Sequence, residues 1–345
     1  MLYIRADANE TIAMGHIMRC LSIAQALRRL GEESTFILSD RKAVFCLEER
    51  GYPYICLESD WCNKESELDS LFQIIEEYHI EKILVDSYQV TEKYLRELKQ
   101  RVKLCYIDDI NIMPDLVDVL ICYSITYEEM SYGKGYVGKT KLLLGPQYSP
   151  LRQEFTNRSP IEHSEIRKVF LTTGGADTYH VSAVFLHTCM NLQDMKKLEF
   201  HVIIGGFYDI SLKKQLVQLQ HKFPNIHLYE HVKNMAEVMS ECDIAISAGG
   251  STLLELCACG VPTVCFTYAN NQVDGAKFYD KQEIILYAGD VREEYDGVER
   301  VIGRLIEKVR KLMIGSQTRK MLSCKMQKLV DGQGADRIAN VLRIM

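Results

Sequence analysis

Apolar residues come in short blocks that alternate between two rhythms along this chain. Leu2-Tyr3-Ile4-Arg5-Ala6 reads as a strand, and Asp7 to Met14 as a loop of polar and small residues. Ile17, Cys20, Leu21, Ala24 and Leu27 then recur at helical spacing up to a stop at Gly31. The same alternation predicts further strands at Thr35–Ser39, Tyr54–Leu57, Lys82–Asp86, Lys103–Asp108, Val119–Cys122 and Lys141–Leu144. Helices are predicted near Met14–Leu30, Glu67–Tyr78 and Thr91–Arg101. From Gly145 to Ile166 the periodicity fades. It restarts with strands at Lys168–Thr173, Glu199–Ile204, Ile226–Tyr229, Asp243–Ser247, Thr263–Phe266 and Glu283–Leu286. Helices are expected near His180–Asn191, Ser211–Phe223, Met235–Glu241, Ser251–Gly260 and Ala276–Lys281, and the pattern from Val291 onward is helical.

A βαβα rhythm argues for parallel sheets covered by helices on both faces. Two such blocks predict an α/β chain of two doubly wound, Rossmann-like domains facing across a cleft. The expected bounds are 1–150 for the first domain, 151–166 for a linker, and 167–345 for the second domain with its C-terminal helical segment.

Composition narrows the partners. Net charge is −6, with no long basic run, which argues against nucleic acid or an anionic membrane surface. No run approaches the roughly 18 apolar residues of a membrane span, and no signal peptide is visible, so the expected compartment is the cytoplasm. The twelve cysteines include no C-x-x-C pair and read as reduced, buried thiols, so no metal is expected. Oligomeric state is not legible.

The candidate chemistry sits where strands end. Gly15 and His16 lie at the junction of the first strand and first helix. In open α/β sheets, ligands bind outside that edge. The positive end of the helix dipole disfavours imidazolium, so His16 is expected to stay neutral and able to accept a proton. A surface or capping histidine is the plainer alternative. In the second half, Gly174-Gly175 follows a strand, and glycines there allow close approach to a phosphate. Ala248-Gly249-Gly250-Ser251-Thr252 follows another strand, with Ser251 and Thr252 at a helix start. Glu255 shares a helical face with Thr252. It suits a ribose diol, and the spacing equally suits a capping box.

Gly249–Glu255 followed by Cys259-Gly260-Val261-Pro262-Thr263-Val264 resembles the UDP-binding signature of the glycosyltransferase-B superfamily, especially its MurG-like branch. Arg5-Ala6-Asp7-Ala8-Asn9 with Gly15-His16-Ile17-Met18-Arg19-Cys20-Leu21 is similar to a narrower group, the PseG family. These are the UDP-2,4-diacetamido-2,4,6-trideoxy-β-L-altropyranose hydrolases of pseudaminic acid biosynthesis. Asp86-Ser87-Tyr88, Tyr106-Ile107-Asp108-Asp109, Leu144-Gly145-Pro146-Gln147-Tyr148, Leu151-Arg152-Gln153-Glu154-Phe155, Thr173-Gly174-Gly175-Ala176-Asp177 and Asn270-Asn271-Gln272 extend the resemblance along the chain. One departure is Ala13, where the family usually has glycine.

The resemblance implies inverting, metal-independent hydrolysis of a UDP-sugar at C1 with no cofactor. UDP leaves as a stabilised anion, so an acid is dispensable, and one base must activate water. His16 is the expected base and Glu255 the expected ribose ligand. Tyr88 is expected at the water or sugar. Asp7 is expected either at the sugar or in an Asx turn. Asn271 and Gln272, with Asn270, suit an acetamido group or a phosphate oxygen, with a helix N-cap as the alternative. Val232 and Met235 fall where MurG-like proteins read uracil through backbone groups. Asp108-Asp109 reads as a strand-end turn. Two rivals are a glycosyltransferase on the same fold, with a sugar or lipid acceptor, and a UDP-sugar-binding protein without turnover.

Overall fold

The computed structural model describes residues 1–9, 12, 14–133, 136–159 and 165–345. Ala13, and part of the predicted linker, lie outside the described residues. The chain forms two units. The first comprises Met1–Gln153 with Gln333–Met345, and the second Glu154–Gly332.

In the first unit the strands are β1 (Leu2–Ala6), β2 (Ser34–Leu38), β3 (Tyr54–Cys56), β4 (Lys82–Asp86), β5 (Lys103–Ile107), β6 (Val119–Cys122) and β7 (Lys141–Leu144). The helices between them are α1 (Gly15–Arg29), α2 (Val44–Glu49), α3 (Leu68–Glu77) and α4 (Glu92–Lys99). The strands pair in parallel in the order β3-β2-β1-β4-β5-β6-β7. Strand alternation divides β1 between two cores. Leu2, Ile4 and Ala6 pack with the apolar face of α1, while Tyr3 packs on the opposite side with Leu71, Ile75, Tyr94 and Leu95. Strands buried on both faces in this way explain the near-continuous apolar runs in the sequence.

The second unit contains β8 (Lys168–Thr172), β9 (Glu199–Ile203), β10 (Ile226–Tyr229), β11 (Ile244–Ala248), β12 (Thr263–Thr267) and β13 (Leu286–Asp290). Its helices are α5 (Val181–Met190), α6 (Ile210–Lys222), α7 (Met235–Ser240), α8 (Thr252–Cys259), α9 (Asn270–Lys281), α10 (Val298–Ile314) and α11 (Ser316–Leu329). The sheet order is β10-β9-β8-β11-β12-β13, again parallel. Among the described residues no helix is long and apolar enough to cross a membrane.

Four features differ from the expectations. The last helix, α12 (Gly334–Ile344), belongs to the first unit, where Ala335, Ile338, Ala339 and Leu342 enter the core beside α1. Its apolar stripe has the same period whichever core it joins, so periodicity could not assign it. The predicted linker includes Phe155, which is fully buried. The predicted strand at Glu283–Leu286 starts later, at Leu286, because Glu283 turns with φ +55° after the end of α9. That helix itself begins at Asn270, ahead of the expected start near Ala276.

Candidate functional site

Strand order in the first sheet runs outward in both directions from the β1/β4 boundary, which makes that boundary its topological switch point. Ala6, the last residue of β1, stands opposite Asp86, the last residue of β4. The loop after β1 leads into α1, whose second residue is His16. Parallel pairing therefore brings His16 and Asp86 together at one sheet edge, across 70 residues of sequence.

His16 is 3% exposed. Its Nδ1 lies 2.5 Å from Asp86 Oδ1. A carboxylate only accepts, so the ring donates Nδ1–H there and Nε2 keeps its lone pair when the ring is neutral. Tyr88 is half-exposed and meets the His16 ring edge-on, with centroids 4.5 Å apart. Gly15 is exposed, and a methyl group placed on it would meet open space. The helix N-terminus is thus only one of the charges at the ring, and Asp86 is a candidate residue that sequence reasoning did not assign to the site.

Arg19, one turn along α1, grips the same carboxylate. Its Nε donates to Asp86 Oδ2 at 2.6 Å and its Nη2 to Oδ1. It also donates to Tyr123 Oη, and to Asp109 Oδ2 at 2.6 Å. Burial pushes the Asp86 carboxyl up, but Arg19 and His16 outweigh it and leave it at about 2. Asp108 does form the expected strand-end turn, accepting N–H bonds from Ile110 and Ile112.

Asp7 accepts from Ser39 N–H, 32 residues on, rather than closing an Asx turn. Alternation along β1 sends Arg5 into the core, where it pairs with Glu67 through two bonds of 2.8 and 2.7 Å. Asp7 joins this buried group. Its Oδ1 accepts from Ser39 N–H at 2.7 Å and lies 2.8 Å from Arg5, and its Oδ2 accepts from Lys64 at 2.6 Å. Both oxygens are engaged in joining the ends of β1 and β2 to the chain before α3. Burial raises the Asp7 carboxyl, yet the two cations hold it well below the usual carboxylate range.

The second sheet has its own switch point between β8 and β11, where Thr172 stands opposite Ser247. The loops carrying Gly174-Gly175 and Gly249-Gly250-Ser251 therefore leave the same edge side by side. Gly174 has φ +86°, a conformation that favours glycine, and its N–H is held by Thr172 Oγ1 at 3.1 Å. Gly250 and Ser251 are exposed, and a methyl on Gly250 would touch nothing. The cap of α8 is Ser251, with no side-chain capping bond. Glu255 is the fourth helical residue, so the capping-box reading of Thr252-x-x-Glu255 fails. A helix start with an exposed glycine and serine is the kind of edge at which anions bind.

The remaining candidates divide. Asn270, Asn271 and Gln272 form the first turn of α9, and the cap is Ala269. Asn271 is exposed. Gln272 is buried, and its Oε1 accepts from Tyr268 N–H at 3.1 Å, closing the turn. Asn270 Oδ1 accepts from Arg292 at 2.7 Å. Met235 N–H, a backbone group expected at uracil, donates to Glu154 Oε1 at 2.8 Å, while Val232 is half-buried. Among the described residues no group of three or more His, Cys, Asp or Glu could hold a metal ion.

Comparison with known proteins agrees with this architecture. Residues 169–337 match the glycosyltransferase family 28 C-terminal domain. The fold is that of the glycosyltransferase-B superfamily. A glycosyltransferase from Rickettsia africae has TM-score 0.65 at 12% identity, over 99% of this chain and 97% of that one. Anabaena HepE in complex with UDP has TM-score 0.59 at 15% identity, over the full length of both. SpsG of Bacillus subtilis, a spore coat polysaccharide biosynthesis protein, is 23% identical over 99% of this chain and 97% of its own. Pseudaminic acid cytidylyltransferase and UDP-2,4-diacetamido-2,4,6-trideoxy-β-L-altropyranose hydrolase of Helicobacter pylori is 22% identical over 80% of this chain and 46% of its own. Uncharacterized protein MJ1062 of Methanocaldococcus jannaschii is 24% identical over 76% of this chain and 54% of its own. The chain thus spans about half the length of these last two relatives.

Proposed function

We propose that this chain hydrolyses a UDP-linked 2,4-diacetamido-2,4,6-trideoxyhexose at C1, releasing UDP and the free sugar for nonulosonic acid biosynthesis. The observation that carries the reading is the His16–Asp86 pair at the switch point of the first sheet. Asp86 accepts the hydrogen bond from Nδ1–H and fixes the tautomer, so Nε2 accepts a proton from water. The water oxygen bonds to C1 as the bond from C1 to the diphosphate oxygen breaks, with inversion. The electron pair leaves on UDP, whose charge the edge at Gly174, Gly175, Gly250, Ser251 and Thr252 stabilises. Glu255 accepts from the ribose hydroxyls. Tyr88 borders the attacking water, and Asn271 offers its amide to an acetamido oxygen. The Helicobacter pylori relative, whose name includes such a hydrolase, supports the substrate class.

The family 28 match favours a second reading, in which a sugar hydroxyl replaces water and the same base serves transfer. Incubation of pure protein with the UDP-sugar and no acceptor separates them. Hydrolysis gives UDP and sugar in equal amounts, and transfer gives neither. His16→Asn and Asp86→Asn are each expected to lower turnover roughly 10²- to 10⁴-fold with UDP affinity retained. Full turnover in a folded His16→Asn protein contradicts the proposal.

A further inference from the structure

We infer that Arg19 is a positioning residue for the base: it locks the Asp86 carboxylate toward His16 and offsets its charge, so that the ring works as a neutral acceptor. This rests on the hydrolase reading above for its place in catalysis, but not for its electrostatics. A buried carboxylate beside an imidazole, left alone, does two things. It orients the ring, and it stabilises the imidazolium, which has no lone pair to offer water. A base for chemistry near neutral pH needs the first effect without too much of the second.

The geometry around Asp86 separates them. Arg19 spans both carboxylate oxygens through Nε and Nη2, the planar fork that guanidinium presents to a carboxylate. Oδ1 is thereby fixed where it meets His16 Nδ1. Arg19 Nη2 also lies 3.2 Å from that nitrogen, so a cation as well as an anion faces the ring. Arg19 is itself held from two other strands. Tyr123, just past β6, takes Nη1, and Asp109, past β5, takes Nη2. Among the described residues, Cys20, whose thiol donates weakly to Asp86 Oδ2 at 3.5 Å, and Tyr88 against the ring are further polar neighbours. Asp109 is more exposed than Asp86, with 29% of its side chain accessible, and so compensates Arg19 less strongly than Asp86 does. Removing the guanidinium removes a positive charge from the ring's side and uncovers both Asp86 and Asp109. All three changes favour imidazolium.

The test follows the His16 ring itself. Its Hε1 signal in proton NMR is assigned by its loss in His16→Gln and titrated in the wild type, Arg19→Gln and Arg19→Lys. In Arg19→Gln the ring midpoint is expected to rise by about one pH unit or more. The acid limb of the pH profile for UDP release rises with it, and KM changes little. Arg19→Lys keeps the charge and loses the fork. Its midpoint stays near the wild-type value while kcat falls roughly ten- to a hundredfold from misplacement of the carboxylate. Arg19→Met replaces Arg19→Gln if the latter does not fold. An unchanged or lowered midpoint in the neutral variant overturns the inference, as does a rise in KM with an unmoved pH profile. If no sugar nucleotide is cleaved at all, the hydrolase reading fails, and the ring titration still decides what Arg19 does.

Discussion

At Asp86 four donors, from the three residues His16, Arg19 and Cys20, converge on two oxygens of a fully buried carboxylate. The arrangement has a consequence for stability as well as for catalysis. The folded carboxyl sits at about 2, below the ordinary aspartate value. A depressed acid contributes stability that is complete above its unfolded value and is lost as pH falls through the folded one. Asp7 is shifted in the same direction. Urea unfolding is therefore expected to give flat stability from pH 7 to about 5 and a steep loss below about 4, the unfolded aspartate value. Asp7→Asn leaves Arg5 and Lys64 sharing one anion, Glu67, in a buried site. It is expected to cost about 3–5 kcal/mol in the same measurement. His16 was legible in the sequence because strand, loop and helix start are local patterns. Asp86 was not, because its pairing with His16 depends on β4 inserting beside β1 while β2 and β3 go to the other side.

Elements carry the nucleotide edge and the closing of the first unit. Gly249 and Gly250 are adjacent but differ. A methyl on Gly249 would come within 3.0 Å of Thr267 Cγ2 and 3.2 Å of Gln272 Cβ, while one on Gly250 meets open space. Gly250→Val is thus expected to fold with an unchanged melting temperature, yet to bind UDP at least tenfold more weakly by calorimetry, about 1.4 kcal/mol. Loss of folding instead would assign the glycine to structure. Helix α12 gives a second expectation. Ile338 is fully buried in the first core, so Ile338→Ala should cost about 2–5 kcal/mol. Hydrogen exchange should show protection lost in β1 and α1, with β8 and β11 unaffected. Strand and helix existence was readable almost everywhere from apolar period. Boundaries failed where local chemistry competed with it: Asn270-Asn271-Gln272 has loop composition, yet Gln272 closes the first turn of α9 by accepting from Tyr268. The ownership of α12 was unreadable, since an amphipathic stripe does not name its partner.

For the whole molecule, two doubly wound sheets each place their candidate residues at a switch point, one carrying the proposed base and the other the proposed anion-binding edge. The division of labour is testable without substrate. UDP alone is expected to slow hydrogen exchange in the loops at Gly174–Gly175 and Gly249–Glu255, and His16→Asn should bind UDP with wild-type affinity. A tenfold loss of UDP affinity in that variant would place the histidine in nucleotide binding rather than in base catalysis. The claim on which the account turns is that His16, oriented by Asp86, delivers water to C1 of a UDP-diacetamido sugar. Single-turnover reaction in ¹⁸O-labelled water, followed by mass spectrometry and proton NMR, tests it most directly. The account predicts label in the free sugar alone, the inverted anomer appearing first, and product formation slowed roughly 10²- to 10⁴-fold in His16→Asn. Label in UDP, a retained anomer, or UDP release only on addition of a sugar acceptor would contradict it.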